Sequence, residues 1–310
     1  MGSISHPVNI TLPLVVTVII YSGRQKDIIE CLESLHHNSY SNHKIIVLDY
    51  ILSDGLATVV RGIYPDVIFV ELRENLGYAG NNNVGIKLAI EHNPEWIFIL
   101  NDDVILDTSC ISLLVDIGER DPDIGMVGPL VLHFDEPNII QSAGGILDKY
   151  WKNIHLDSNQ LYQEQFSEVR QVDWISGCAI LVRRAVIEQV GMLDPEYFLY
   201  WEETEWCLRA NLAGWKIINM PNARLWHKGV QRDYQPKPYV TYYMTRNHLF
   251  TLSKHKAPLR AWSFTLAQIL RSLVSWTIKP QWHHKREHRN AMWRGLVDFV
   301  NHRYGPMPSR

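Results

Sequence analysis

Apolar runs, mostly β-branched, recur between Leu14 and Asn101: Leu14 to Ile20, Lys44 to Leu48, Val67 to Leu72, and a run from Trp96 that ends at Asn101. Short unbroken apolar runs mark strands covered on both faces. Between them the period lengthens. Ile28, Cys31, Leu32 and Leu35 recur at helical spacing; a polar turn at Ser53-Asp54-Gly55 leads into a short helix; a glycine- and asparagine-rich turn, Gly77 to Gly85, runs into a helix through Ile86, Ala89 and Ile90. Strand and helix in alternation predict a mostly parallel sheet with helices on both faces, wound right-handed.

Beyond Asp103 the pattern predicts a helix over Ser109 to Glu119 and a strand over Ile124 to Val131. Gln141 to Asp157, glycine-rich and aromatic, reads as a hairpin or active-site loop, and Asn159 to Glu168 as a polar, mobile segment. A strand follows in the second half of Val172 to Val182. An acidic, aromatic stretch, Leu199 to Trp206, opens a helix that continues from Cys207, and Lys216 to Met220 is a further strand. Leu259 to Ile278 is an apolar helix with Trp262 and Trp276 near its ends.

Composition is that of a globular chain with one large or two small domains: 310 residues, 46% hydrophobic and 20% charged. The formal charge of -3 gives no sign of nucleic acid, but its distribution is uneven. Residues 254–310 hold eleven Lys and Arg against two acids, a net of +9, which leaves -12 on the rest. By charge alone such a tail suits an anionic partner, a membrane surface or nucleic acid. The four cysteines form no CxxC pair and read as buried free thiols of a reducing cytosol, with no zinc site. Met1 to Pro13 lacks a secretory leader pattern, and no uncharged apolar run reaches membrane-spanning length.

Chemistry concentrates at Asp102 and Asp103. Adjacent carboxylates at the end of a buried strand repel each other and lose hydration unless a cation or hydrogen-bond donors meet them. A bound Mg²⁺ or Mn²⁺, with positions left for substrate phosphates, is one answer; capping of the helix near Asp107 is the other. Ligands of open parallel sheets bind beyond the carboxyl ends of the strands. Tyr21, Asp49, Arg73 to Asn75 and Asn101 to Asp103 all fall there. The turn after the first strand holds one glycine, so both the dinucleotide fingerprint and a P-loop are missing, which argues against an oxidoreductase and leaves a metal to hold phosphates. Glu202, Glu203 and Glu205 exceed what a helix dipole needs, and a carboxylate among aromatic rings can serve as a general base near neutral pH. Gly177 permits close approach of a ligand or marks a bulge. His227, beside a glycine turn, is structural or a ligand.

These residues resemble the inverting glycosyltransferases of family 2, with the GT-A fold, and the rhamnosyltransferase-like members in particular. The resemblance covers about residues 14–250 and rests on several blocks in order: Cys31 to Leu35, Glu74 to Gly85, Asn101-Asp102-Asp103, Trp174 to Val182, Gly191 to Asp194, Phe198 to Glu203, and His227. It implies a nucleotide-sugar donor, dTDP- or UDP-linked, held by Tyr21, Asp49, Asn75, Gly80, Asn83, Asn101 and Asp102. Asp103 and His227 would hold Mg²⁺ or Mn²⁺. Trp174, Ser176, Gly177, Trp201 and Glu202 would meet a saccharide or lipid-linked acceptor, and Glu203 would be the base. The chain departs from the family at Asp49-Tyr50-Ile51-Leu52, at Ser22, and in carrying Glu203 and Glu205 where aspartates are usual.

The resemblance divides the chain into a donor half (1–105), an acceptor half (106–250) and a basic helical extension (251–310). It implies a cytoplasmic enzyme of surface-polysaccharide synthesis with no nucleic-acid partner. The extension either lies on the anionic inner face of the plasma membrane or packs as a soluble helix on the catalytic body. A non-catalytic binding module of the same fold, in a polysaccharide assembly complex, is the alternative function. Oligomeric state is left open.

Overall fold

A computed structural model describes residues 12–52, 55–163, 168–229 and 234–308. Within them β1 (Val15–Ile20), α1 (Gln25–His36), β2 (His43–Asp49), α2 (Leu56–Ile63), β3 (Ile68–Glu71), α3 (Gly77–Glu91) and β4 (Trp96–Asn101) alternate as the pattern predicts. The order β4-β1-β2-β3 is parallel throughout. One apolar core, with Ile28, Leu32, Leu56 and Leu114, lies on one face of the sheet; a second, with Ile86, Val186 and Trp206, lies on the other. Register aligns Ile20 with both Leu48 and Asn101, so Tyr21, Asp49 and Asn101 share one rim.

The chain continues through β5 (Val104–Leu106), α4 (Cys110–Glu119), β6 (Ile124–His133), β7 (Ile140–Ser142), β8 (Gly145–Leu147), β9 (Asn153–His155), β10 (Arg170–Gln171), β11 (Ala179–Arg183), α5 (Arg184–Val190), α6 (Glu202–Leu212) and β12 (Lys216–His227). It closes with α7 (Pro238–Lys254), α8 (Leu259–Ile278) and α9 (Arg286–Val300). Antiparallel β11 joins β4 to β6, and β12 runs parallel to β6.

Two expectations need revision, and one element had none. The stretch from Gly77 to Gly85 is the first part of α3 rather than a turn, because side chains supply its end: Asn75 Oδ1 accepts from the Gly77 amide at 2.9 Å, and Asn81 Oδ1 from the Leu76 amide at 3.0 Å. The strand expected to stop at Met220 runs on to His227, since an irregularity between Met220 and Arg224 bends the strand without ending it. The short strand β5 pairs antiparallel with the end of β12, opposing His227 to Val104. That pairing carries His227 to Asp103. The four cysteines are free and buried, as expected. Ser53 and Asp54 of the expected turn, and residues 164–167 of the polar segment, lie outside the described residues.

Candidate active site

β4 ends at Asn101, and the chain turns at once through Asp102 and Asp103 into β5. Both carboxylates are buried, 3% and 6% exposed, yet their surroundings differ. Asp102 Oδ2 accepts from the Ser22 amide at 2.6 Å. Burial nevertheless pushes its carboxyl up to about 6, with Asp103 adding to the rise. Burial also pushes Asp103 up, but there the His227 imidazole and the Arg24 guanidinium outweigh it and hold the group below its ordinary value. Arg24 Nη2 lies 3.0 Å from Asp103 Oδ2, and its Nε lies 3.0 Å from Asp27 Oδ2. Lys228 in turn pairs with Asp27 at 3.1 Å and with Glu30. The start of α1 is thereby laced to the strand ends.

The Asp103–His227 pair fits a divalent cation on its own geometry. His227 Nε2 stands 3.1 Å from Asp103 Oδ1, but that oxygen is buried without a hydrogen-bond partner. His227 Nδ1 lies 2.7 Å from Gln141 Oε1, which can only accept. Nδ1 therefore donates to it, which turns Nε2 toward the carboxylate oxygen. A proton on Nε2 or a divalent cation can bridge the two atoms, and an imidazole oriented through its far nitrogen is how metal-ligating histidines are held. Gly229 leaves the space open: a Cβ there would collide with Asp103 Oδ2 and sit 3.1 Å from His227 Nε2. Among the described residues no group of three or more His, Cys, Asp or Glu side chains is disposed around one metal position. Water and substrate oxygens would complete the shell, as Mg²⁺ and Mn²⁺ allow.

α6 supplies the second centre. Glu202 and Glu203 have no ion-pair partner among the described residues, and burial dominates. It raises Glu203 to about 7 and drives Glu202 well above the carboxylate range, with Glu203 adding to the effect. Two residues on, Glu205 is fully buried against Arg209 (2.9 Å), Lys254 (2.9 Å) and His255 (3.0 Å). These partners outweigh burial and hold it at about 2. Glu205 is thus a fixed structural anion, while Glu203 is poised to take a proton near neutrality.

Gly177 and Cys178 connect the two centres. A Cβ on Gly177 would lie 3.6 Å from Glu203 Cγ and 3.3 Å from the Tyr78 hydroxyl. That hydroxyl donates to the Gly177 carbonyl. The next residue, Cys178, accepts at its carbonyl from the Asn101 amide at 2.9 Å. Its thiol is raised to about 12 by burial first, with Asp103 and Glu203 both contributing.

The approach to Glu203 is strained. Phe198, Tyr200 and Trp201 have φ of 63°, 67° and 77°, the left-handed region that non-glycine residues avoid. α7 holds them there. Asn247 Nδ2 donates to the carbonyls of Tyr197 (3.0 Å), Leu199 (2.9 Å) and Tyr200 (2.8 Å), and Arg246 Nη2 to Tyr197 (2.9 Å) and Glu196 (3.2 Å).

Several sequence candidates spend their side chains inside the protein. Asp49 Oδ1 accepts from the amides of Ile51 (2.7 Å) and Leu52 (3.3 Å). The Tyr50 phenol is raised by burial and by its neighbours Asp102 and Asp49. Tyr21 is fully buried. Asn75 also accepts from Asn81 Nδ2 at 3.1 Å, Asn83 Nδ2 donates to the Leu193 carbonyl at 2.7 Å, and Gly80 packs so closely on Leu76 that a Cβ would lie 2.6 Å from its Cβ. Trp174, expected to meet an acceptor, is buried under the β8–β9 hairpin, edge-on to His155 at 4.6 Å, and offers an acceptor no open face. Trp201 is buried and stacks on His248 at 4.5 Å. Ser176 and Gly177 are half-buried, and Glu202 Oε2 is buried without a partner. Arg24, Gln141, Tyr78, Arg246 and Asn247 take roles here that the sequence does not signal. The glycine turn beside His227 is legible in the sequence, whereas Gln141 reaches His227 only through the sheet.

A family model described as "Glycosyltransferase like family 2" matches residues 13–248. The chain belongs to that family. This family 2 glycosyltransferase is 27% identical over 251 residues to the N-acetylglucosaminyl-diphospho-decaprenol L-rhamnosyltransferase of Mycobacterium tuberculosis, covering 74% of this chain and 81% of the relative. It is 23% identical over 277 residues to the dTDP-rhamnosyl transferase RfbF of Shigella flexneri, covering 84% and 86%. Among solved structures, GalNAc-T7 with UDP, GalNAc and Mn²⁺ superposes with a TM-score of 0.61 at 14% identity, covering 88% of this chain and 59% of that one. That likeness shows the GT-A fold, a mostly parallel sheet flanked by helices.

Proposed function

We propose that this glycosyltransferase is metal-dependent and inverting, and moves a sugar, rhamnose first, from a dTDP- or UDP-linked donor to a hydroxyl of a saccharide or lipid-linked acceptor in surface-polysaccharide synthesis. What supports the reading is a cation-shaped pair, Asp103 and His227, and a base-shaped carboxylate, Glu203, joined through the adjacent residues Gly177 and Cys178. An inverting transfer needs little more. Glu203 takes the acceptor hydroxyl's proton as that oxygen attacks the anomeric carbon and the bond to the diphosphate breaks. Asp103 and His227 hold Mg²⁺ or Mn²⁺, which when bound offsets charge on the departing diphosphate. Asp102 and the half-buried Tyr50 would border the base and ribose; Ser176, Gly177 and Glu202 would border the acceptor. The rhamnosyltransferases among the relatives support the donor, and one of them the lipid-linked acceptor. Working at the inner face of the plasma membrane would suit such an acceptor.

A thermal-shift screen of nucleotide-sugars with and without Mn²⁺ tests this, because a ligand of the native state raises the melting temperature. A dTDP- or UDP-sugar is expected to do so only with the metal. No shift with any nucleotide-sugar would overturn the reading.

A further inference from the structure

α8 turns two different faces outward and inward. Ala261, Thr265 and Ile269 are buried against the body. On the opposite side Leu259, Leu266, Leu270, Val274 and Ile278 form one stripe, with Leu259, Leu270 and Ile278 exposed by 85%, 62% and 69%. Spacings of seven and four residues keep these positions on one side of a helix. Trp293 on α9, 57% exposed, extends the stripe across a groove of about 580 Å³ shared with Leu270, Leu273, Val274 and Ile278. An apolar surface of this kind on a water-soluble body marks an interaction site.

Charge selects its occupant. Arg289 and Arg294 line the same groove. Arg260, Arg271 and Lys279 are exposed on or just beyond α8. Of the two acids in residues 254–310, Asp298 is buried on Tyr242, which leaves Glu287 as the exposed one. No helix among the described residues is long and apolar enough to cross a membrane. We infer that the α8–α9 face docks on an anionic lipid surface, with the leucine stripe and Trp293 entering the headgroup boundary and the flanking arginines and Lys279 meeting lipid phosphates. A second copy of the chain would bring this basic rim against itself, so charge disfavours that occupant.

The face is tied to the acceptor side of the site. Arg260 Nε donates to the Lys149 carbonyl at 2.9 Å, and Phe264 stacks on Tyr150 at 4.3 Å. Both partners lie in the turn between β8 and β9. Asn153, which opens β9, donates to Thr204 Oγ at 3.1 Å, beside Glu203. One hairpin thus separates the docking face from the proposed base. Docking would present the site to an acceptor anchored in the same bilayer, a consequence that rests on the lipid-linked acceptor proposed above.

Co-sedimentation of the full chain with vesicles tests the inference. Phosphatidylcholine vesicles containing 30 mol% phosphatidylglycerol, an amount on the order of an anionic cytoplasmic leaflet, are compared with pure phosphatidylcholine. Binding to the anionic vesicles is expected, and it should fall at least tenfold in L270E/V274E and weaken in high salt. Both substituted positions are exposed or rim the groove, and an unchanged melting temperature shows that the fold is kept. No binding, equal binding to both vesicle types, or a wild-type dimer that L270E/V274E dissociates would overturn the inference. Mn²⁺-dependent turnover of nucleotide-sugar is read in parallel on the wild-type chain. Turnover without vesicle binding sinks the docking face alone, and vesicle binding without turnover sinks the transferase reading alone.

Discussion

Three glutamates in the first turn of α6 have different fates, and only their surroundings differ. Glu205 meets Arg209, Lys254 and the His255 imidazole and is held at about 2, whereas Glu203 has no ion-pair partner among the described residues and stands at about 7. If Glu203 is the base, kcat/KM for transfer should rise about tenfold per pH unit below that value and level off above it. The same shift has a sign in stability. A carboxyl raised from 4.5 to about 7 stabilises the fold below the lower value, and that contribution is lost as pH rises through the upper one. Glu203→Gln should therefore melt a few degrees above wild type at pH 8 in calorimetry, at about 2–4 °C per kcal/mol, and show no such gain near pH 5. Gln141 fixes the His227 tautomer, so Gln141→Leu should weaken Mn²⁺ binding by about 10–100-fold in titration calorimetry while the melting temperature of the metal-free protein changes little. The sequence shows the acidic pairs but not these differences. Lys254 and His255 lie on α7 and at its end, far along the chain from Glu205, and Gln141 is remote from His227.

At the scale of elements, the rim of the parallel half was legible because each strand and helix states its own period. Val15–Ile20 and Leu259–Ile278 lie where the apolar pattern puts them. What the pattern could not show are elements fixed by partners. β5 is too short to carry a signal and exists through its pairing with β12. The turn before α6 holds consecutive backbone angles that no residue in it prefers, and these depend on Arg246 and Asn247. Asn247→Ala would leave buried carbonyls unmatched at a cost of about 2–4 kcal/mol. Its melting temperature should drop accordingly, and kcat should fall further than nucleotide affinity, because the turn places the base and not the donor. An unchanged kcat would show that the strained turn has no part in the chemistry.

Across the whole molecule, the C-terminal helices are interlocked with the catalytic body. The Tyr242 hydroxyl donates to Asp298 at 2.8 Å, Arg246 Nη1 to the Gly305 carbonyl at 2.6 Å, and the Met307 amide to the Tyr243 hydroxyl at 2.8 Å. Arg246 also braces the turn before Glu203, so the chain's end reaches the proposed base through one side chain. Composition disclosed the basic segment but not this linkage, whose contacts span 56 and 59 residues of sequence. The account as a whole rests on separate duties for two carboxylates of one site. The direct measurement is Mn²⁺-dependent nucleotide affinity alongside transfer rate, for Asp103→Ala and Glu203→Gln. Asp103→Ala is expected to lose both, while Glu203→Gln keeps the affinity within about twofold and loses transfer by about 10³-fold or more. Transfer surviving in Glu203→Gln, or its nucleotide affinity falling with that of Asp103→Ala, would contradict the account.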